Sequence, residues 1–259
     1  MGILNLTPDS FSDGGKLVDR RALLKAAAGM IAAGADILDI GGESTRPLAP
    51  AVAMAEELRR VLPAIEAIRE LDPAIPISID TTKAEVARRA LAAGADIIND
   101  ISALRFDSAM TELAAEGDWP VIIMHMQGTP RDMQLKPHYG DVVVEVKEFL
   151  RERIEQLTAR GIKRERLIID PGIGFGKTLE HNLAILRNLA QFRALGRPLL
   201  IGHSRKSFLA KLLGELPVEQ RDLPSAVVAA LCALNGADII RTHNVEATSQ
   251  ALRLARIWQ

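Results

Sequence analysis

The chain has 259 residues, 48% of them hydrophobic and 25% charged, which is enough to bury a full core. Lys plus Arg number 32 and Asp plus Glu 33, and a formal charge of −1 excludes a global pull toward nucleic acid or an anionic membrane. The one cysteine, Cys232, excludes an internal disulfide and a Cys-rich metal site, and no run reaches the length of a membrane span, so the expected compartment is the reducing cytoplasm.

In chain order, a short strand over residues 2–5 opens the chain with no leader-like segment before it. A long polar stretch to residue 16 and an amphipathic helix over residues 20–33 follow. The next strand covers residues 35–41 and ends in a second long segment, 42–50. Then come a helix over 53–70, a strand over 76–80, a helix over 83–93, and strands over 96–100 and 121–125. A third long segment, 127–140, precedes a helix over 141–160 and a strand over 167–170. The last third reads as helix 178–194, strand 199–203, helix 226–235 and strand 238–243. The strands are short β-branched runs without alternation, as expected when both faces are buried.

Three helices end in nearly the same phrase before a strand: Ala33-Gly34-Ala35-Asp36-Ile37, Ala93-Gly94-Ala95-Asp96-Ile97 and Asn235-Gly236-Ala237-Asp238-Ile239. Glycine just past a helix takes the left-handed conformation without a Cβ clash. Eight strand-helix units with no linker-like stretch predict an α/β fold, a single-domain (β/α)8 TIM barrel over residues 1–259; an open doubly wound sheet is the alternative. In a barrel the three long segments lie on the catalytic face.

The strand ends carry Asn5, Asp39, Asp80, Asn99 with Asp100, His125, Asp170, His203 with Ser204, and Arg241 with His243. Asp39 and Asp100 read equally well as caps of following helices. Asp80, Asn99 and Asp170 offer the acceptors and amide needed to grip the guanidine-like edge of a flat heterocycle; a divalent metal is the alternative, less well served by an amide and two acids. Ser204-Arg205-Lys206-Ser207 and Arg241-Thr242-His243 put cations and hydroxyls where barrels hold phosphate. The run Gly172-Ile173-Gly174-Phe175-Gly176-Lys177 fits neither a dinucleotide nor a P-loop glycine spacing.

Five motifs in order, Asn5-Leu6-Thr7-Pro8-Asp9-Ser10-Phe11-Ser12-Asp13-Gly14-Gly15, Gly41-Gly42-Glu43-Ser44-Thr45-Arg46-Pro47, Ile98-Asn99-Asp100, Asp170-Pro171-Gly172-Ile173-Gly174-Phe175-Gly176-Lys177 and Ser204-Arg205-Lys206-Ser207, make the chain resemble the dihydropteroate synthase family of pterin-binding barrels. The resemblance runs from residue 2 to the last helix. It implies a Mg2+-assisted transferase of folate biosynthesis that condenses 6-hydroxymethyl-7,8-dihydropterin pyrophosphate with p-aminobenzoate, releasing pyrophosphate. It further implies that Asp80, Asn99 and Asp170 hold the pterin, that Lys206 bonds its ring and that Arg241 stacks on its face. By the same matching Asn5 reaches the Mg2+, and Thr45, Arg241, Thr242 and His243 bind the leaving pyrophosphate. Phe175, Arg46, Pro47 and Ser207 shape the p-aminobenzoate pocket when the first two loops close as lids. Asp170, Lys206 and Arg241 are the expected catalytic residues. A homodimer packed through helices late in the barrel is also implied, with sulfonamide sensitivity left open.

Four features depart from the family pattern. Leu48 replaces a glycine after Pro47, Asn244 replaces an aspartate after His243, and His203 replaces a methionine and is expected only to line the site. The chain also starts almost on its first strand. Two other readings remain: a pterin-binding methyltransferase domain using methyltetrahydrofolate, and a pterin-binding module without turnover. The Ser-Thr-Arg-Pro and Ser-Arg-Lys-Ser motifs favour the synthase over both.

Overall fold

The computed structural model describes residues 1–6, 20–44 and 49–258. Its strands are β1 (Gly2–Asn5), β2 (Leu38–Gly41), β3 (Ile77–Asp80), β4 (Ile97–Asp100), β5 (Val121–Met124), β6 (Leu167–Asp170), β7 (Leu200–Ile201) and β8 (Ile239–Ile240). The first six form one parallel sheet in sequential order, and β7 pairs with β8. Single parallel bridges close both seams, Ile169 with Leu199 and Gly2 with Thr242. At the second seam Thr242 N–H donates to the Met1 carbonyl at 2.9 Å and Ile3 N–H to the Thr242 carbonyl at 3.0 Å. The strands thus run in one closed ring, which answers the open-sheet alternative.

Helices surround the ring: α1 (Arg20–Ala32), α2 (Met54–Leu71), α3 (Ala84–Ala92), α4 (Ser108–Glu116), α5 (Val142–Ala159), α6 (Leu179–Arg187), α7 (Leu189–Arg193), α8 (Ser207–Leu213), α9 (Asp222–Leu234) and α10 (Val245–Ala255). The sequence reading gives no bounds for α4, α8 or α10; the first two have only nine and seven residues, too short for a clear helical period. It also joined α6 to α7, which part at Asn188, where the side chain donates to the Ala184 carbonyl at 2.8 Å. The repeated phrase has a double use. Gly34, Gly94 and Gly236 all have positive φ past their helices. In two repeats the aspartate then caps the neighbouring strand, Asp96 accepting from Ile77 N–H and Asp238 from Leu199 N–H, each at 2.8 Å.

Apolar contacts divide into layers. Between strands and helices lie two large clusters, one around Ile79, Ile65 and Leu38, the other around Ile123, Leu150 and Phe192. Inside the ring, Met1, Ile97, Ile122 and Leu200 meet Ile37, Ile168 and Ile239. This inner plug is why the barrel is a packed core and not a pore, and it leaves the strand C-termini as the place where polar side chains can face inward.

Candidate active site

Arg241 organises the polar ring above that plug. Its Nε donates to Asp39 Oδ2 at 2.6 Å and its Nη2 to Asp80 Oδ2 at 2.8 Å. Asn99 Nδ2 donates to the other Asp39 oxygen at 3.2 Å, and Asp80 and Asn99 are Cα partners on adjacent strands. Four of the sequence-derived residues therefore meet within one hydrogen-bonded group. Burial, resisted by Arg241 and aided by Asp39, pushes the Asp80 carboxyl up to about 7.

Asp39 requires a correction. It caps no helix: it is fully buried in the ring and holds both Arg241 and Asn99. The available signal was a lone acid in the strand Leu38-Asp39-Ile40, where every other position is apolar or glycine. Asp100 does behave as a turn cap, accepting from Ser102 N–H at 2.6 Å.

Across the ring, Asp170 Oδ1 accepts from Gly172 N–H at 2.7 Å. Burial raises this carboxyl, with Lys206 as the largest opposing influence. Lys206 donates to the Ile173 carbonyl and sits 4.4 Å from the centroid of the Phe175 ring, a cation over an aromatic face. Burial pushes its amine down to about 7, against the attraction of Asp170. Gly202 lies between the two sides of the ring, an added Cβ falling 3.8 Å from both Arg241 Cδ and Asp170 Oδ2.

The loop after β6 is shaped by glycines. Gly172 has φ +70, and a Cβ there would lie 2.0 Å from the His125 carbonyl oxygen; at Gly176, φ +62, it would lie 2.8 Å from the Gln127 carbonyl oxygen. Only glycine allows this loop to lie against the end of β5. Beneath it, buried Lys177 donates to the Phe175 carbonyl at 2.9 Å and to His125 Nδ1 at 3.0 Å. Desolvation holds the lysine well below its ordinary value and pushes His125 down to about 2, so His125 is neutral and accepts. The sequence places this run among the family motifs and sets aside only a phosphate-loop role for it, and it gives Lys177 no task.

Other expectations fare differently. His243 stands beside Ser204, whose Oγ lies 3.0 Å from His243 Nδ1 and accepts from its backbone N–H at 3.1 Å. Thr242 is buried, its hydroxyl 2.9 Å from Thr248 of α10 and donating to Ser204 Oγ at 3.5 Å. Arg205 is tied to Asp222 by two bonds of 2.6 and 2.9 Å, away from the phosphate role its motif suggested. Ser207 is exposed at the start of α8, and Phe175 is buried beside Met124, Met126 and Met133. His203 lies against α9, its Nε2 donating to the Ser225 carbonyl at 2.8 Å. Burial pushes it down to about 4. Asn244 makes sense of one departure, because its Oδ1 caps α10 at Ala247 N–H while its Nδ2 donates to Asp222 at 2.9 Å; an aspartate there would face a second carboxylate. Thr45, Arg46, Pro47 and Leu48, with most of the first expected lid, lie outside the described residues.

Asn5 ends β1 half-buried, with its side-chain oxygen beside Gly41. Among the described residues no group of three or more His, Cys, Asp or Glu is placed to hold a metal ion, and no helix is long and apolar enough to cross a membrane.

Comparison with known proteins agrees with this geometry. The family model described as "Pterin binding enzyme" matches residues 1–243. The dihydropteroate synthase of Synechocystis sp. is 46% identical over 261 residues, covering 100% of this chain and 90% of that protein. Among solved structures, a Xanthomonas albilineans dihydropteroate synthase with 4-aminobenzoic acid has a TM-score of 0.93 at 46% identity, covering 100% of this chain and 92% of the other. The Xanthomonas albilineans enzyme in complex with 7,8-dihydropteroate gives 0.90 at 44% identity, with the same coverage. The chain belongs to the pterin-binding enzyme family and, within it, to the dihydropteroate synthases.

Proposed function

We propose that the protein, as one barrel domain in the cytoplasm, condenses 6-hydroxymethyl-7,8-dihydropterin pyrophosphate with p-aminobenzoate to give 7,8-dihydropteroate and pyrophosphate. The observation that carries this reading is the convergence of Asp80, Asn99, Asp170, Lys206 and Arg241 in one ring, beside strand ends able to receive an anion. Relatives solved with 4-aminobenzoic acid and with 7,8-dihydropteroate supply the identity of the second substrate and the product.

In this reading the carboxylates of Asp170 and Asp80 accept the N–H groups of the pterin edge, and Asn99 completes the contact. Lys206 donates to a ring acceptor. Arg241 covers the pterin face and neutralises charge gathering on the pyrophosphate as its C–O bond breaks, while His243 and Thr45 offer it hydrogen bonds. The aniline nitrogen then attacks the exposed methylene carbon and loses a proton. This requires positioning and charge stabilisation more than a strong base. Phe175, Arg46, Pro47 and Ser207 surround the p-aminobenzoate.

A Mg2+ ion fits the donor set in one way. It keeps most of its waters and needs only one or two protein oxygens when it arrives with phosphate, and Asn5 Oδ1 would supply one. When bound there, the ion would add positive charge beside the leaving group. The exposed apolar stripe Leu223, Val227, Leu231 and Leu234 on α9, continued by Leu254, Ile257 and Trp258, supports a homodimer: its spacing follows one helix face, and it is contiguous with the carboxyl-terminal helix.

A pyrophosphate-release assay with Mg2+ and both substrates, with and without a sulfonamide, tests the reading. Release dependent on p-aminobenzoate is expected. Pterin binding without any release would return the protein to the methyltransferase or binding-module class.

A further inference from the structure

Among the described residues, Asp39 is the only carboxylate of the ring that is fully buried and also joined to two of the residues assigned to the pterin. One oxygen lies 2.6 Å from both Nε and Nη2 of Arg241, and the other takes Asn99 Nδ2 at 3.2 Å. Its side chain therefore links β2 and β4 to the residue that follows β8. Asp80 meets the same Nη2 at 2.8 Å without reaching Nε, and its side chain is 11% exposed against 0% for Asp39.

The difference in attachment matters. A guanidinium held through Nε and Nη2 by one buried oxygen has its plane set close to the side-chain stem, so rotation of the fork is restrained while Nη1 stays available. Asp39 needs no opening to solvent to do this, and its depth leaves no room for substrate to touch it. Asn99 is restrained in the same act: with Nδ2 donating to Asp39, its carbonyl oxygen must point elsewhere, which fixes the amide orientation that a ligand meets.

We infer that Asp39 is a positioning residue for the pterin pyrophosphate site, a buried carboxylate that sets the plane of Arg241 and the orientation of the Asn99 amide together. The inference rests on the assignment of the ring to the pterin substrate. It requires that loss of Asp39 be felt by the pterin substrate through Arg241 and Asn99 and not by p-aminobenzoate.

The test uses the full chain with Asp39→Asn, Arg241→Lys and the double variant. Pterin pyrophosphate affinity is read by calorimetry, and KM for each substrate is read from pyrophosphate release. Asp39→Asn keeps the shape, so a melt near wild type is expected. Pterin pyrophosphate binding should weaken about tenfold or more, the size of one charge-assisted hydrogen bond, while KM for p-aminobenzoate stays within about twofold. The double variant should lose far less than the product of the two single losses, because both remove the same contact. If Asp39→Asn does not fold, Asp39→Ser, smaller and still an acceptor, is measured in its place. Wild-type pterin affinity in the folded Asp39 variant, equal loss for both substrates, or fully multiplicative losses would each overturn the inference. Absence of pyrophosphate release from the wild type would instead strike at the synthase reading, leaving the binding arm of the experiment to report on Asp39.

Discussion

Lys206 holds its ammonium 4.4 Å from the centroid of the Phe175 ring, so the cation assigned to the pterin and the aromatic assigned to p-aminobenzoate form one wall. Moving either residue moves the boundary between the two substrates. The same burial that makes this contact pushes Lys206 down to about 7 and Asp80 up to about 7.

The first prediction concerns pH. Below about 7 Lys206 is charged, and above about 7 Asp80 is ionised. Affinity for pterin pyrophosphate should peak near neutrality, falling on the alkaline side as the ammonium is lost and on the acid side as the carboxylate is protonated. Calorimetry across pH checks this. Lys206→Met should flatten the alkaline limb and Asp80→Asn the acid limb; limbs unchanged in both variants would remove these groups from the site.

Asp170→Asn keeps an oxygen for Gly172 N–H but cannot accept two ligand N–H bonds with full charge. Turnover should fall about a hundredfold, from roughly 3 kcal/mol of lost charge-assisted bonding, with a melting temperature near wild type. A folded variant of undiminished activity would refute its place in the pterin grip.

Gly172→Ala should be among the costliest single changes in the loop. The new Cβ meets the His125 carbonyl oxygen at 2.0 Å in a backbone with φ +70. A loss of about 3 kcal/mol, or roughly 6 °C in Tm for a chain of this size, is expected. Gly161→Ala is the control: φ is +93, nothing lies within 4 Å, and the strain alone should cost about 1 kcal/mol. Equal melts for the two variants would contradict the packing described.

Lys177 and Lys206 both have folded values below the ordinary lysine value of 10.5. The unfolded chain then binds more protons at these sites, so their contribution makes stability rise with pH up to about 10.5. Lys177→Met keeps the volume without the amine. Its gain in Tm between pH 7 and pH 10 should be smaller than that of the wild type, as melts at the two pH values would record.

Light scattering tests the stripe on α9. The wild type should run at twice the chain mass, and Leu231→Glu, at a position 53% exposed in the single chain, should run at the chain mass with its fold retained.

The sequence by itself determined the strand-helix periodicity, the glycine C-caps and the polar ends of the strands, because these depend on neighbours within one turn or one strand. It also carried Asn99, Asp170 and Lys206 within family motifs, and Asp80 and Arg241 as polar strand ends. Only the tertiary structure decided what each polar group faces. Arg241, Thr242 and His243 are consecutive, yet alternation sends Thr242 to Thr248 while Arg241 reaches Asp39, 202 residues away in the chain. Asp39 and Asp100 look alike in sequence, but one stands inside the ring and the other turns back on Ser102. Such roles are set by closure of the ring, which brings β8 and β1 together, and no local pattern contains that long-range contact.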